Sequence, residues 1–119
     1  MTVDGWIVRL SAMAEADYAA ILRWTAEHFG SEQRTAYAET LTAALSALIE
    51  GPEIPGAKGR RDIGKGLRTL HVARGGRRGR HSVLFRVGEH EGRPAIEVLR
   101  LLHVSMDLAR HLPPEEREA

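Results

Sequence analysis

Apolar residues in the N-terminal half of the sequence recur at the three- and four-residue spacing of amphipathic helices. One such segment runs from about residue 13 to residue 29. A second begins at Ser31, ends before Gly51 and carries an apolar stripe made of Tyr37, Leu41, Ala44, Leu45 and Leu48. Only a short turn separates the two segments, so we expect an antiparallel helical hairpin.

Residues that favour helix ends set the predicted boundaries. Ser11 and Ser31 precede the two helical segments, and a serine side chain at that position accepts a hydrogen bond from a free amide of the first turn. Gly30 supplies the left-handed backbone that ends a helix. The pair Gly51-Pro52 follows the second helix, so that helix is expected to stop there.

Four shorter runs are rich in residues that favour strands, and they cover residues 6–10, 67–73, 82–87 and 95–102. The last run is apolar on both alternating faces except at Glu97 and Arg100, which favours a central strand covered on both sides. Segments 75–79 and 89–94 contain glycine and are expected to connect the last three runs as hairpins. Segment 51–66, with five glycines and two prolines, is interpreted as a surface loop.

The predicted order is strand, helix, helix, strand, strand, strand and a short final helix. Ser105 is placed to cap that final helix, which ends at Leu112 before a charged tail. Helices that are segregated from strands along the chain indicate an α+β fold, with the helical hairpin across one face of a largely antiparallel sheet. At 119 residues we expect one domain, 1–119.

Composition excludes several kinds of site. The sequence has no cysteine, which excludes disulfides, thiolate zinc sites and a cysteine nucleophile. No two of the six histidines lie at i, i+2 or i, i+4, so we expect no metal. No apolar run approaches the ~20 residues of a membrane span. The first residues lack a basic leader and an apolar core, so we expect a cytoplasmic protein that does not interact with membranes.

Charge is distributed unevenly. Residues 58–86 contain ten basic residues and one acidic residue, a net charge of +9, and the rest of the chain has seven basic and fifteen acidic residues, a net charge of −8. Four of the arginines, Arg74, Arg77, Arg78 and Arg80, fall in one predicted hairpin loop. Such a segment suits an acidic partner, and both nucleic acid and an acidic protein segment meet that description.

Five short segments, in this order, carry a resemblance to a known family. They are Ala16-Asp17-Tyr18, Gly66-Leu67-Arg68, the run from Arg80 to Val87, the run from Ile96 to His103, and the run from Met106 to Leu112. The set resembles the RelE/ParE superfamily of toxins from bacterial toxin–antitoxin pairs. Its ending, a strand, a histidine and a short helix, is similar to the ParE (plasmid-stabilisation) branch.

The resemblance implies a toxin that is neutralised by a small ParD-like antitoxin, whose extended C-terminal segment wraps the toxin. The ParE branch acts by binding DNA gyrase and stalling it on cleaved DNA, without a cofactor. The RelE branch instead cuts messenger RNA on the ribosome. A third interpretation is a degenerate member of the superfamily that binds antitoxin but is not toxic.

The ribonuclease alternative needs cations around a phosphate and groups that transfer protons. Its candidates here are Arg68, His81 and His111. In the ribonuclease branch an arginine commonly follows the aromatic that opens the third strand, and this sequence has His81-Ser82 there. Each histidine also has a structural interpretation: His81 as a surface strand residue, His111 as a cation at a helix end, and His103 as a strand end that hydrogen-bonds the next turn.

We therefore favour a ParE-like toxin that acts by binding. Arginine pairs carboxylates and phosphates through two parallel hydrogen bonds. No aromatic residue lies between residues 58 and 84 to stack on bases, so we expect a protein partner and no sequence-specific DNA binding by this chain. Trp24 lies off the helical stripe and is either a residue at the rim of the core or an exposed anchor. The predicted partner-binding residues are Trp24, Arg68, Arg74, Arg77, Arg78, Arg80, Arg86 and Arg110.

Overall fold

The computed structural model describes residues 5–105. The predicted C-terminal helix, with Arg110 and His111, lies outside the described residues. The elements are β1 (Ile7–Leu10), α1 (Ala12–Phe29), α2 (Ser31–Ala47), a 3-10 turn (Leu48–Glu50), β2 (Lys58–Gly59), β3 (Arg68–His71), β4 (His81–His90) and β5 (Arg93–His103). The predicted α+β fold is confirmed.

The helical hairpin forms as the sequence predicts, with one difference at its turn. Ser11 caps α1, because its Oγ accepts a hydrogen bond from the amide of Ala14 at 3.0 Å. Gly30, with φ of 92°, ends α1 and also serves as the N-cap of α2, which has no side-chain cap. The prediction that Ser31 caps α2 is wrong, because one glycine turns the chain so tightly that Ser31 is already helical.

The five strands form one mixed sheet in the order β1-β5-β4-β3-β2. β1 runs parallel to β5, and the other three neighbouring pairs are antiparallel, so the expectation of a largely antiparallel sheet is confirmed. β5 has a neighbour on each side, as its apolar pattern indicates. β2 was not predicted: segment 51–66 is interpreted from sequence as loop, but Lys58 and Gly59 pair with β3 at the sheet edge.

Two clusters of buried apolar residues lie on opposite faces of the sheet. The larger cluster lies between the sheet and the helical hairpin and includes Leu41, Leu48 and Phe85. The smaller one forms where the loop between β2 and β3 covers the other face, and it consists of Ile63, Leu67, Leu84 and Leu102. Within residues 5–105, no helix combines the length and apolar character that crossing a bilayer requires.

A β-bulge in β5 joins the sheet to α1. Leu99 is the extra residue of β5 in its register with β4, and a bulge of this kind interrupts the ladder of backbone hydrogen bonds. Side chains of α1 and its cap bond the backbone here: Ser11 Oγ donates to the Leu99 carbonyl at 2.9 Å, and Asp17 Oδ2 accepts from the Leu101 amide at 2.9 Å. The start of α1 is therefore fixed against the middle of β5.

The bulge also brings Arg100 to the helical face of the sheet. Arg100 donates from Nε to Asp17 Oδ2 at 2.8 Å and from Nη2 to Asp17 Oδ1 at 2.9 Å. The two side chains are only 14% and 16% exposed. Two parallel hydrogen bonds between a guanidinium and a carboxylate are a strong and directional contact, and this one holds α1 over the C-terminal half of β5.

Candidate functional site

A groove of about 1020 Å³ opens between the helical hairpin and the sheet. Side chains of α1 and α2 form one wall. The end of the β3–β4 loop, the start of β4 and the end of β5 form the other. The helical wall includes Ala20, Ile21, Trp24, Phe29, Ala36 and Tyr37, and the sheet wall includes Arg78, Arg80, His81, Arg100, His103 and Ser105.

The helical wall ends in an exposed aromatic cluster. Trp24 is 53% exposed and Phe29 is 63% exposed. The Trp24 ring stacks on His28 with ring centroids 4.1 Å apart, and Phe29 meets it edge-on at 5.6 Å. The core therefore does not cover Trp24, and its large apolar ring lies on the groove rim, where a partner can reach it. Its role as an anchor stays a prediction.

At the floor of the groove, Tyr37 is hydrogen-bonded to His81. The Tyr37 hydroxyl lies 2.6 Å from His81 Nδ1, and the backbone amide of Arg80 donates to the same hydroxyl at 3.3 Å. Since a neutral imidazole accepts at one nitrogen, we assign the Tyr37 proton to the bond with Nδ1. His81 is half-buried, which corrects the interpretation of it as a surface strand residue.

Burial, together with the smaller effect of the neighbouring His103, lowers the pKa of His81 to about 4. Burial also raises the pKa of Tyr37. Both groups are therefore neutral at pH 7. The Tyr37 ring fits closely on Gly79, where an added Cβ would lie 2.8 Å from the Tyr37 hydroxyl, so this position needs a residue without a side chain.

His103 lies opposite His81 on the neighbouring strand, with ring centroids 5.3 Å apart and the rings nearly perpendicular. β5 ends at His103, and the amide of Ser105 in the next turn donates to His103 Nδ1 at 3.1 Å. The prediction that His103 ends a strand and bonds the following turn is confirmed. Among residues 5–105, no three His, Asp or Glu side chains converge closely enough to hold a metal ion.

The structure divides the arginines of the β3–β4 loop into two groups. Arg78 and Arg80 are exposed and line the groove. Arg74 lies on the other side of the loop, where its Nη2 donates to the Pro55 carbonyl at 3.0 Å. Arg77 is exposed, but it is not among the residues that line the groove. Four arginines in one loop therefore do not share one orientation.

Two other predicted partner-binding residues make intramolecular contacts outside the groove. Arg68 donates from Nε to the Pro52 carbonyl at 2.9 Å. Arg86 donates from Nε to Glu97 Oε1, across the pair of strands β4 and β5, at 2.8 Å. The sequence does not reveal these contacts, because it shows the positive charges but not the carbonyl and carboxylate that bond them.

Two of the three candidate ribonuclease residues, Arg68 and His81, are not brought together. Arg68 pairs with Phe85 in the sheet, four residues along β4 from His81, which corresponds to roughly 13 Å at the rise of a strand. Arg68 bonds a loop carbonyl, while His81 bonds Tyr37. His111 lies outside the described residues.

Sequence reasoning missed the two contacts that shape the groove. Asp17–Arg100 joins residues 83 apart and Tyr37–His81 joins residues 44 apart. The sequence does contain a signal for the Asp17–Arg100 contact. Arg100 lies in an otherwise apolar central strand, and a buried arginine requires a carboxylate partner. No such signal exists for the second, because tyrosine and histidine are both common at half-exposed positions.

With the geometry established, comparison with known proteins shows the family. The family model described as "ParE toxin of type II toxin-antitoxin system, parDE" matches residues 8–108. Toxin ParE1 of Caulobacter vibrioides is 33% identical over 107 residues, which cover 87% of this chain and 95% of that relative. A chain of the chromosomal ParDE TA system from P. aeruginosa has the same fold, with a TM-score of 0.65 and 23% identity, covering 83% of this chain and 96% of that one. The resemblance seen in the sequence is confirmed, and this chain belongs to the ParE toxin family of type II toxin–antitoxin systems.

Proposed function

We propose that this toxin inhibits DNA gyrase by binding to it and that a ParD-like antitoxin neutralises it in the cytoplasm. The observation that carries the proposal is the family match, which extends over residues 8–108 and includes both walls of the groove. The related structure from P. aeruginosa belongs to a ParDE system, which supports an antitoxin of the ParD type as the partner of this chain.

Action by binding, without a cofactor, is supported by the arrangement of the candidate catalytic groups. Arg68 and His81 lie apart on neighbouring strands, and each is engaged with another part of the chain. A general base must reach the proton that it removes. The groove instead offers an exposed apolar wall beside two exposed arginines, a combination that suits recognition of another macromolecule.

Among the predicted partner-binding residues, Trp24, Arg78 and Arg80 are those that the groove brings together. We propose this groove as the surface that the antitoxin covers. Arg68, Arg74 and Arg86 bond neighbouring backbone or carboxylate groups, so we assign them a contribution to the fold. Arg110 lies outside the described residues.

Expression of the toxin without its antitoxin tests the proposal. Gyrase inhibition by binding predicts relaxed plasmid DNA and accumulation of gyrase-cleaved DNA, with messenger RNA half-lives unchanged at early times. Coexpression of the antitoxin encoded beside the toxin gene is expected to restore growth and supercoiling. Rapid loss of messenger RNA with supercoiling intact would instead establish the ribonuclease alternative, and normal growth without antitoxin would establish a degenerate toxin.

A further inference from the structure

The two layers of the molecule carry opposite charge. Residues 12–50, which form the helical hairpin and the 3-10 turn, contain six acidic and two basic residues, a net charge of −4. Residues 58–86, which form β2, β3 and the first part of β4, contain one acidic and ten basic residues, a net charge of +9. We call the face of the sheet that is turned away from the helices the outer face, and the smaller apolar cluster lies there.

Strand register places Arg9 and Lys58 on the outer face, one at each edge of the sheet. Directly paired residues share a face, and the side chains of a strand alternate between faces. Lys58 is paired through β3 with Leu84, which belongs to the apolar cluster of the outer face. Arg9 is paired through β5 with Arg86, two residues along β4 from Leu84. Since four strand spacings separate β1 from β2, these two edges are roughly 19 Å apart.

The loop between β2 and β3 adds Arg61 to the outer face from a fixed backbone. Ile63 and Leu67 of this loop are buried against the sheet. The Arg60 amide donates to the Leu67 carbonyl at 2.8 Å, and the Arg60 carbonyl accepts from the Ile63 amide at 3.0 Å. Arg61 lies between these anchors and is exposed. Because the loop is held in this way, less conformational entropy is lost when a ligand binds.

Two carboxylates on the outer face are already bonded to arginine side chains. Asp62 accepts two hydrogen bonds from Arg60, at 2.9 and 2.7 Å. Glu97 accepts one from Arg86 Nε at 2.8 Å. Each pair is close to neutral. Among the described residues, the outer face therefore keeps a positive charge from the three exposed cations at its edges and on its loop.

The character of the exposed side chains favours phosphate groups over a protein partner. The four residues of the smaller apolar cluster are at most 7% exposed, so the loop covers them and presents charged side chains to solvent. Protein interfaces are built around an apolar or aromatic centre, whereas contacts with a nucleic acid backbone need positive charge and hydrogen-bond donors. In duplex DNA the bases remain stacked on each other, so no aromatic side chain is required.

We propose that the outer face binds the phosphate backbone of duplex DNA, irrespective of base sequence, through Arg9, Lys58 and Arg61. This inference goes beyond the proposed function, because it does not depend on which protein the groove recognises. The groove and the outer face lie on opposite sides of the sheet. The toxin can therefore hold DNA on one side while a protein occupies the other.

The test is the affinity of the purified toxin for a fluorescently labelled duplex of about 20 base pairs, measured by anisotropy from about 50 to about 200 mM salt. Three phosphate contacts predict that log K falls with log[salt] at a slope of about −2.7, which is about a fortyfold loss of affinity over this range. Two duplexes of unrelated sequence are expected to bind with affinities that agree within about twofold.

The double variant Lys58→Gln/Arg61→Gln removes two of the three charges. It is expected to reduce the slope to about −0.9 and to weaken binding at about 50 mM salt by at least about tenfold. Two matched controls remove two exposed cations elsewhere, on the helical hairpin with Arg23→Gln/Arg34→Gln and at the groove with Arg78→Gln/Arg80→Gln. Both controls are expected to keep the slope and to change the affinity by less than about threefold. Circular dichroism checks that each variant is folded.

A slope that either control reduces as much as Lys58→Gln/Arg61→Gln does would overturn the inference, because the DNA contact would then not belong to the outer face. Failure of the wild-type toxin to bind duplex DNA at about 50 mM salt would also overturn it. Weaker binding of purified gyrase by Lys58→Gln/Arg61→Gln would in that case identify the outer face as a protein contact. None of these outcomes affects the proposed function, which inhibition of gyrase in the cell decides separately.

Discussion

The imidazole of His81 is kept neutral by the residues around it. Burial disfavours its charged form, and the nearby His103 acts in the same direction. The Tyr37 hydroxyl adds a hydrogen bond at 2.6 Å that suits a neutral acceptor. The same histidine in the sequence alone is indistinguishable from a surface residue or a proton donor, because neither its burial nor its tyrosine partner is visible there.

His81 is expected to give the toxin an acid-sensitive stability. Its folded-state pKa of about 4 lies below the ordinary value of 6.5, so between these values the unfolded chain binds the extra proton. The contribution of neutral His81 to the unfolding free energy is complete above about pH 6.5 and is lost as the pH falls through about 4. Urea unfolding from about pH 7 to about pH 4 is expected to show a smaller loss of stability in His81→Asn than in wild type. If the unfolding free energies of His81→Asn and wild type fell in parallel with pH, His81 would not be the source of the acid sensitivity.

The single side chain of Trp24 is expected to contribute to antitoxin binding. Its ring is 53% exposed at the groove rim, and a tryptophan that becomes buried in an interface often contributes about 2 kcal/mol to binding. Trp24→Ala should therefore weaken antitoxin binding by about thirtyfold while leaving the unfolding free energy nearly unchanged. Met13→Ala is the control, since Met13 is also exposed on α1 but does not line the groove. An unchanged affinity in Trp24→Ala would remove it as an anchor.

At the scale of elements, one carboxylate of α1 bonds both a side chain and a backbone amide of β5. Asp17 binds both the Arg100 guanidinium and the Leu101 amide next to the bulge. Removing one partner of a largely buried pair leaves the other charge uncompensated, which is far more costly than losing a surface pair. Asp17 therefore helps to hold the helical wall of the groove against β5.

Asp17→Asn is expected to lower the unfolding free energy by about 3 kcal/mol, measured by urea denaturation. The matched control is Asp62→Asn. Asp62 forms the same kind of paired contact with Arg60, at 2.9 and 2.7 Å, but its side chain is 64% exposed, so no measurable change is expected. Similar losses of unfolding free energy in the two variants would show that the Asp17–Arg100 pair stabilises the fold no more than an exposed pair does.

The elements themselves follow closely from periodicity, and the contacts between them do not. The stripe that contains Leu41, Ala44 and Leu48 is buried as predicted, and so is most of the apolar run in β5. The direction of β1 and the existence of β2 were missed, because a strand's residues do not specify whether its neighbour runs parallel and a two-residue strand has no pattern. The groove likewise depends on pairs of residues that lie far apart in the sequence.

At the scale of the whole molecule, the basic segment 58–86 faces solvent only in part. Arg60, Arg68, Arg74 and Arg86 bond to a carboxylate or a backbone carbonyl. The charge asymmetry of +9 against −8 nevertheless remains along the chain. The electric field of a positively charged segment accelerates the approach of an acidic partner, and salt screens this field.

We expect the association rate of toxin and antitoxin to fall by about tenfold or more when salt is raised from about 50 mM to about 500 mM. Stopped-flow mixing measures this rate.

A separate experiment measures the equilibrium binding of the toxin alone to duplex DNA at several salt concentrations. If the four loop arginines neutralised phosphates, log K would fall with log[salt] at a slope of about −4. Observing such a slope would contradict a protein partner for the loop.

The parallel pairing of β1 with β5 affects when the chain can fold during its synthesis. The bond between Ser11 and the bulge at Leu99 spans 88 residues, so β1 and the start of α1 can be fixed against β5 only after β5 has been synthesised. At 5–20 residues per second, a ribosome needs roughly 4 to 18 seconds to cover that interval. The groove between the helical hairpin and the sheet is therefore completed only after synthesis of the chain has reached the end of β5.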